Sequence, residues 1–302
     1  MPRRLIAIVG PTASGKSTAA LELARRLGGE IVNADSRQIY RRMNIGTAKP
    51  TAEEQNLVRH HLFDIVEPGD AYSLALYQRD ARAALEDIWE RGSYAWLVGG
   101  SGQYVWALLE NWQVPEVEPD LALRQELVAF AALHGPAALH QRLAEIDQVA
   151  AIRIDARNVR RVVRAIEVFA RTGRPISEWQ TKRSPDFEFL LYGMARPREE
   201  LDARIDARVG AMFETGFVAE VRSLLDSGVT PESPSMSSIG YAQAAAMIHG
   251  DISEADAIEQ TARATRRFAR KQAQWFRMED DRIKWVADTD AIGMEANIFT
   301  SA

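Results

Sequence analysis

The chain opens on an apolar run, LIAIV at 5–9, and breaks at once into GPTASGKS at 10–17. A short unbroken apolar run bounded by turn residues predicts a fully buried strand. The next stretch, KSTAALELARRLG, changes period. Ala19, Leu23 and Leu27 share one face and Gly28–Gly29 stop the pattern, so a helix is predicted. EIVNAD predicts a second strand. SLALYQRDARAALEDIWERG predicts a second helix ending at Gly92, and YAWLVGG a third strand. Strands and helices alternating across short connections predict an α/β fold, a parallel sheet covered by helices.

From about Trp112 to Pro185 the alternation stops and only helical patterns remain. VPEVEPD reads as a linker. LALRQELVAFAALHG, AALHQRLAEID and NVRRVVRAIEVFARTG read as helices. FEFLLYGMAR at 187–196 returns to strand character, and Asp251 to Met278 is helical. The expected organisation is therefore an α/β core over 1–112 and 186–302, interrupted by a helical insertion over 113–185. No internal repeat or low-complexity tract interrupts this picture.

Composition narrows the classes. With 302 residues, 46% of them hydrophobic, the chain can bury one large core or two modest ones. No apolar run is long enough to span a bilayer, so no membrane partner is expected. MPRRLIAIVG places basic residues before an apolar stretch, but that stretch is too short for a leader and runs straight into a glycine loop. The absence of cysteine excludes disulfides and thiolate zinc sites, and fits a cytoplasmic setting. The net charge of −5 argues against indiscriminate nucleic-acid binding while leaving room for a local basic surface.

Gly10, Gly15, Lys16 and Ser17 match G-x-x-x-x-G-K-[ST], with Pro11, Thr12, Ala13 and Ser14 between them. The glycines let backbone N–H groups turn inward, the following helix adds the positive end of its dipole, Lys16 adds a full charge, and the Ser17 hydroxyl can hold Mg²⁺ or a phosphate oxygen. The motif also marks ATP-binding proteins. A nucleotide hydrolase or kinase, however, wants an acid at the end of a later apolar strand, and YAWLVGG ends in glycine. A loop that cradles a departing pyrophosphate needs no such acid. Asp35, just past the second strand, stands at the sheet edge where ligands bind, and reads either as a proton acceptor or as a turn or cap residue. Ser101 in GGSGQY offers a hydroxyl near the loop, or marks only a glycine-rich strand end. His60 and His61 point apart as neighbours and have no third ligand nearby, which favours a structural or surface role.

Two stretches are basic in an acidic chain. Arg153, Arg157, Arg160, Arg161, Arg164 and Arg171 fall mostly on one side of a predicted helix over 152–172, with Val159, Val162, Ile166 and Phe169 opposite. Arg263, Arg266, Arg267, Arg270, Lys271 and Arg277 lie among Phe268, Trp275 and Phe276. A solvated helix face is the plain reading. The local excess of positive charge favours a polyanion, and folded RNA is the natural one.

GPTASGKS, DSRQIYRRMNIGTAKP, HHLFDIVEPGDAYS, GGSGQY, RNVRRVVRAIEVFARTGRPIS, SIGYAQ and TRRFARKQAQWFR stand in the order and approximate spacing seen in tRNA dimethylallyltransferases. The resemblance covers nearly the whole chain. It implies a P-loop core with an inserted helical domain. It also implies transfer of a dimethylallyl group from dimethylallyl diphosphate to N6 of adenosine 37, in tRNAs reading codons that begin with U, with release of diphosphate. The loop Gly10–Ser17 would then hold the diphosphate, with Mg²⁺ at Ser17. Asp35 would be the catalytic carboxylate, with Lys16, Arg208 and Ser101 around the reacting groups; Ser101 stands where many relatives carry Thr. Asp35, Ser36, Arg37, Gln38 and Ser101 would grip the target nucleotide. Arg124, Arg160, Arg161, Arg164, Arg270, Lys271 and Arg277 would contact the tRNA anticodon stem-loop. Gln103 replaces the Leu usual in that glycine-rich segment. The zinc finger of some eukaryotic relatives is missing, which suggests a bacterial form; a cytoplasmic monomer is also expected. An adenylate isopentenyltransferase acting on free AMP, ADP or ATP is the alternative; it shares the core logic without needing the basic insertion.

Overall fold

A computed structural model describes residues 3–179 and 181–301, with the Ser301 side chain excepted. Met1 and Pro2 of the leader-like start, Gln180 of the insertion and Ala302 at the end of the core lie outside the described residues. In chain order the elements are β1 (Arg4–Val9), α1 (Lys16–Leu27), β2 (Glu30–Asn33), α2 (Ala52–Leu57), β3 (His60–His61), α3 (Leu74–Glu90), β4 (Ala95–Gly99) and α4 (Gly102–Leu109). The helical stretch follows as α5 (Leu121–His134), α6 (Pro136–Ile146), α7 (Gln148–Arg153), α8 (Val159–Thr172) and α9 (Ile176–Trp179). The chain then runs through β5 (Glu188–Met194), α10 (Arg198–Glu214), α11 (Phe217–Asp226), a 3₁₀ turn (Pro234–Ser237), α12 (Tyr241–His249), α13 (Glu254–Ala273), β6 (Lys284–Val286) and α14 (Asp290–Ser301). Among the described residues no helix is long and apolar enough to cross a membrane.

The six strands form one sheet in the order β3-β2-β4-β1-β5-β6, every pair parallel. Leu5, Ile6, Ala7, Ile8 and Val9 are all essentially solvent-free, as a central strand covered on both faces must be. Register decides where the chemistry goes. Val9 lies opposite both Gly99 and Gly193, and Asn33 opposite Val98. The carboxyl ends of β1, β2, β4 and β5 therefore come level, and they deliver Gly10, Asp35, Ser101 and Arg196 to one edge.

The chain divides into two compact units. One holds the chain up to Ser73, Tyr77–Leu109, and everything from Pro185 on; the other holds Leu74–Leu76 and Glu110–Ser184. In the first, Ile6, Ile8, Leu23, Trp96 and Tyr192 pack α1 and α14 onto the sheet. A separate core of Met43, Val209, Phe213, Phe217, Met236 and Tyr241 ties α10–α13 to the segment after β2. In the second unit, Leu127, Leu139, Leu143 and Val162 form the core of a helical array.

Three expectations change. The helix expected over 152–172 is two helices. Ile154 closes α7, Asp155 Oδ1 accepts from the Arg157 backbone N–H (2.9 Å), and the Asn158 side chain caps α8 through the Arg161 N–H. Two Asx residues offering side-chain acceptors to nearby N–H groups favour a turn over a continuous helix. Arg153 and Arg157 thus stand outside α8. The tail helix is shorter than expected, running from the Ser253–Asp256 capping box to Ala273. The sheet also gains two short edge strands, β3 and β6.

Candidate active site

The phosphate loop has the shape its glycines predict. Gly10 has φ +149, and a Cβ there would lie 3.0 Å from Ser14 Oγ and 3.2 Å from the Met194 carbonyl. Gly15, in the left-handed region at φ +95, caps α1. Lys16 is buried, and its Nζ donates to the Pro11 carbonyl (3.2 Å). Burial pushes its ammonium down to about 8; nearby Asp35 works against that shift and Arg208 adds to it. Arg208 reaches in from α10 and donates to Thr12 Oγ1 (3.2 Å). Burial lowers its pKa as well, again opposed by Asp35. Arg196 Nε donates to the Ser14 carbonyl (3.3 Å), and a Cβ on Gly15 would stand 3.7 Å from the Arg204 guanidinium. Sequence reasoning singled out neither Arg196 nor Arg204. Four cations thus converge on one loop, an arrangement that favours a multiply charged anion.

Asp35 sits in a turn built by its neighbour. Asn33 Oδ1 accepts from the Asp35 N–H (2.8 Å), while Asn33 Nδ2 donates to the Asp35 and Leu62 carbonyls. Asp35 Oδ1 accepts from the Arg37 N–H (2.9 Å), so the carboxylate makes a turn contact and still lines the cavity that holds Lys16 and Arg208. Ser101 Oγ accepts from the Ser36 N–H (2.9 Å) and donates to Ser36 Oγ (3.2 Å). The Ser101 hydroxyl therefore braces the Asp35 turn. Gln38 Nε2 donates to the carbonyls of Thr47 and Ala48, and Arg37 to that of Pro234. Lys49 Nζ is sealed between Tyr40 O, Asn44 Oδ1 and Asp64 Oδ1. Glu220 accepts from the backbone N–H groups of Asn44, Ile45 and Gly46 and from the Tyr241 hydroxyl. DSRQIYRRMNIGTAKP is thus a frame around the carboxylate, held by these polar bonds and by Ile39, Tyr40 and Met43 buried in the core beneath it.

Two cavities meet here. One, of about 410 Å³, is lined by the phosphate loop, Asp35 and Arg208, with Leu21, Ile31 and Phe63 among its apolar lining. The other, of about 230 Å³, is lined by Arg37, Ile239, Thr265 and Phe268 among others. Thr12, Asp35, Thr47 and Arg208 belong to both walls. A carboxylate and a guanidinium shared by two chambers can act on a proton in one and a developing anion in the other.

The glycines of GGSGQY serve protein neighbours. A Cβ on Gly99 would lie 2.1 Å from the Ala34 carbonyl, one on Gly100 2.2 Å from Gln272 Nε2, and one on Gly102 2.2 Å from the Trp275 ring. Gln272, which sequence reasoning missed, is 2% exposed. Its only signal in the sequence is a polar residue on the apolar side of α13.

The expected RNA-facing residues separate. In the helical unit Arg124 makes a two-pronged ion pair with Glu167 (2.7 and 2.8 Å), and Arg164 adds a third bond to the same buried carboxylate (2.6 Å). Burial pushes the Glu167 carboxyl up, but these hydrogen bonds outweigh it and hold the carboxyl below its usual range. Arg160 and Arg161 are exposed. In the other unit Arg270, Lys271 and Arg277 are exposed, and no ion pair engages them among the described residues, whereas Arg266 pairs with Asp206. His61 Nε2 contacts Glu30 (2.7 Å) and His60 Nδ1 the Val58 carbonyl (2.6 Å), so both histidines hold the sheet edge. No cluster of three His, Cys, Asp or Glu fit to hold a metal occurs among the described residues. Ser17 is exposed on the first cavity, which Asp35 also lines; both offer hard oxygens of the kind Mg²⁺ takes when substrate phosphates and water complete its shell.

Comparison with known proteins bears on these features. A sequence profile of IPP transferase matches residues 38–279, and one of isopentenyl transferase matches residues 3–66. A tRNA dimethylallyltransferase of Herpetosiphon aurantiacus is 51% identical over 92% of this chain and 89% of its own length. One from Chloroflexus aggregans is 50% identical over 94% and 96%. The crystal structure of a full-length tRNA isopentenylpyrophosphate transferase from Bacillus halodurans superposes with a TM-score of 0.71 at 38% identity, covering 99% of this chain and 96% of that one. A eukaryotic dimethylallyltransferase acting on tRNA gives 0.81 at 26% identity, covering 99% and 77%.

Proposed function

The chain belongs to the IPP transferase family, and from that premise we propose that it is a tRNA-modifying prenyl transferase. It transfers a dimethylallyl group from dimethylallyl diphosphate to N6 of adenosine 37, in tRNAs that read codons beginning with U. One observation carries this reading: the phosphate loop, Lys16 and Arg208 converge with Asp35 on a cavity whose wall also includes the apolar side chains of Leu21, Ile31 and Phe63. Cations suit the diphosphate, the apolar side chains in the wall suit a five-carbon chain, and the carboxylate suits an amine that must lose a proton.

The residues divide the work as follows. The loop N–H groups that are not bonded to Gln272 or to Pro11, with Lys16 and Arg208, hold the diphosphate and take up charge as the carbon–oxygen bond breaks. Ser17 and the diphosphate oxygens would hold Mg²⁺, which supplies further neutralisation of the leaving group. The N6 lone pair forms the new bond to carbon, and its proton passes to Asp35. Ser101 and Asn33 hold the Asp35 turn. Adenosine 37 must leave its stack to reach this carboxylate, at a cost of roughly a few kcal/mol. Arg160 and Arg161, and separately Arg270, Lys271 and Arg277, offset that cost through phosphate contacts to the anticodon stem-loop. Arg124 and Arg164 serve that interface by fixing their helices through Glu167. The insertion at 113–185 works as the tRNA-contacting domain of a monomeric, cytoplasmic enzyme.

Labelled dimethylallyl diphosphate with Mg²⁺ and either an unmodified stem-loop or AMP tests the reading. Label is expected on the stem-loop and lost when adenosine 37 is changed to guanosine. Label on AMP alone would assign the chain to the adenylate enzymes.

A further inference from the structure

Gln272 lies one residue before the end of α13, buried, with both ends of its amide in use. Its Oε1 accepts from the Thr12 N–H of the phosphate loop (2.8 Å). Its Nε2 donates to the Gly100 carbonyl (3.0 Å), next to Ser101. Ser101 in turn accepts from the Ser36 N–H beside Asp35. One side chain thus joins the phosphate loop to the turn that braces the carboxylate. Gly100 is required for this contact, because any Cβ would strike the Gln272 amide.

The same helix end faces outward with opposite character. Arg270 and Lys271 are exposed, and Trp275, half in solvent, sits over Gly102 and donates its N–H to the Gln272 carbonyl (3.0 Å). An anion gripping Arg270 and Lys271 therefore holds the backbone that carries Gln272. Fixing Gln272 fixes the Thr12 N–H and the Gly100 turn, so ordering supplied by one ligand need not be supplied again by the other.

We infer that Gln272 is a positioning residue that couples RNA engagement at the exposed end of α13 to the shape of the phosphate loop, so that each substrate tightens the other. This rests on the reading above, in which the loop holds diphosphate and Arg270 and Lys271 meet RNA. Such coupling is reciprocal: stem-loop and diphosphate must strengthen each other's binding by the same factor.

The test is calorimetric titration of the full chain with dimethylallyl S-thiolodiphosphate, an unreactive analogue, with Mg²⁺ and with or without saturating adenosine-37 stem-loop. In the wild type the stem-loop is expected to lower the analogue Kd about tenfold. Gln272→Met loses both hydrogen bonds at similar length. It is expected to weaken the analogue about tenfold and to abolish the effect of the stem-loop, while stem-loop affinity measured alone stays within about twofold of wild type. Gln272→Glu keeps an acceptor for Thr12 and loses the donor to Gly100. It is expected to lose the coupling as well, and it carries the test if the methionine variant does not fold. Wild-type coupling in either folded variant overturns the inference. So does an absence of coupling in the wild type, or a parallel fall of both affinities and of Tm. A failure of the functional reading looks different: the wild type would then bind neither the analogue nor the stem-loop.

Discussion

Helices α8 and α13 are both basic and amphipathic, and each buries a polar side chain on its inner face. In α8 that side chain is Glu167, which takes Arg124 and Arg164 out of circulation and leaves Arg160 and Arg161 outward. In α13 it is Gln272, which bonds the phosphate loop and the Gly100 turn and leaves Arg263, Arg267, Arg270 and Lys271 outward. One inner group neutralises an arginine of its own helix and one of α5 for the sake of the fold. The other is neutral and reaches the chemistry. A basic stripe in a sequence is therefore a mixture, and the buried partner sorts it: arginines that face a carboxylate build structure, and those that face none are free for phosphate.

The comparison can be broken from several directions. The largest effect should come from removing the chemistry while leaving both helices alone. Asp35→Ala is expected to cut kcat by about 10²–10⁴ in single-turnover assays with only a modest loss of stem-loop affinity; unchanged kcat would remove Asp35 from the reaction. Next, Glu167→Ala strands Arg124 and Arg164 and should cost about 3 kcal/mol in denaturant unfolding, at the lower end of the range for a broken buried pair because Arg124 is partly in solvent. The same variant should leave binding of the diphosphate analogue intact, which separates a fold group from a site group. A smaller effect follows from Lys16. Its protonated form binds the anion and its ammonium is pushed down to about 8, so affinity for dimethylallyl diphosphate should fall as pH rises through that value. KM is expected to rise about tenfold between pH 7 and pH 9, and Lys16→Arg should flatten the profile. Smallest, replacing Arg160 and Arg161 by Ala, or Arg270 and Lys271 by Ala, should lower the salt slope of stem-loop binding by about 1 per cation removed. Arg124→Ala should leave that slope nearly as it was.

Strands β1, β2, β4 and β5 were legible because each is an apolar run closed by turn residues, and α1 because Gly15 and Gly28 bracket an apolar face. β3 was not, since two histidines at a sheet edge carry no pattern and become a strand only through pairing with Ile31 and Val32. The break at 154–158 hid behind apolar spacing that runs on through it; Asp155 and Asn158 were its signal. In the site, Gly10, Lys16 and Asp35 stood out because phosphate loops and strand-end carboxylates have local signatures. Gln272 and Arg196 meet the loop from 260 and 182 residues away respectively, so no window of sequence contains the contact. Glu167 reads as an ordinary helical glutamate until Arg124 closes on it.

Glu220 has a further consequence. Its carboxylate accepts three consecutive backbone N–H groups, from Asn44, Ile45 and Gly46, in a segment with no strand beside it. Amides in such a loop ordinarily trade their hydrogens with solvent quickly. Here they can exchange only when α11 lets go, so a stretch that looks like a loop in outline keeps time with the unfolding of the helical core beneath it.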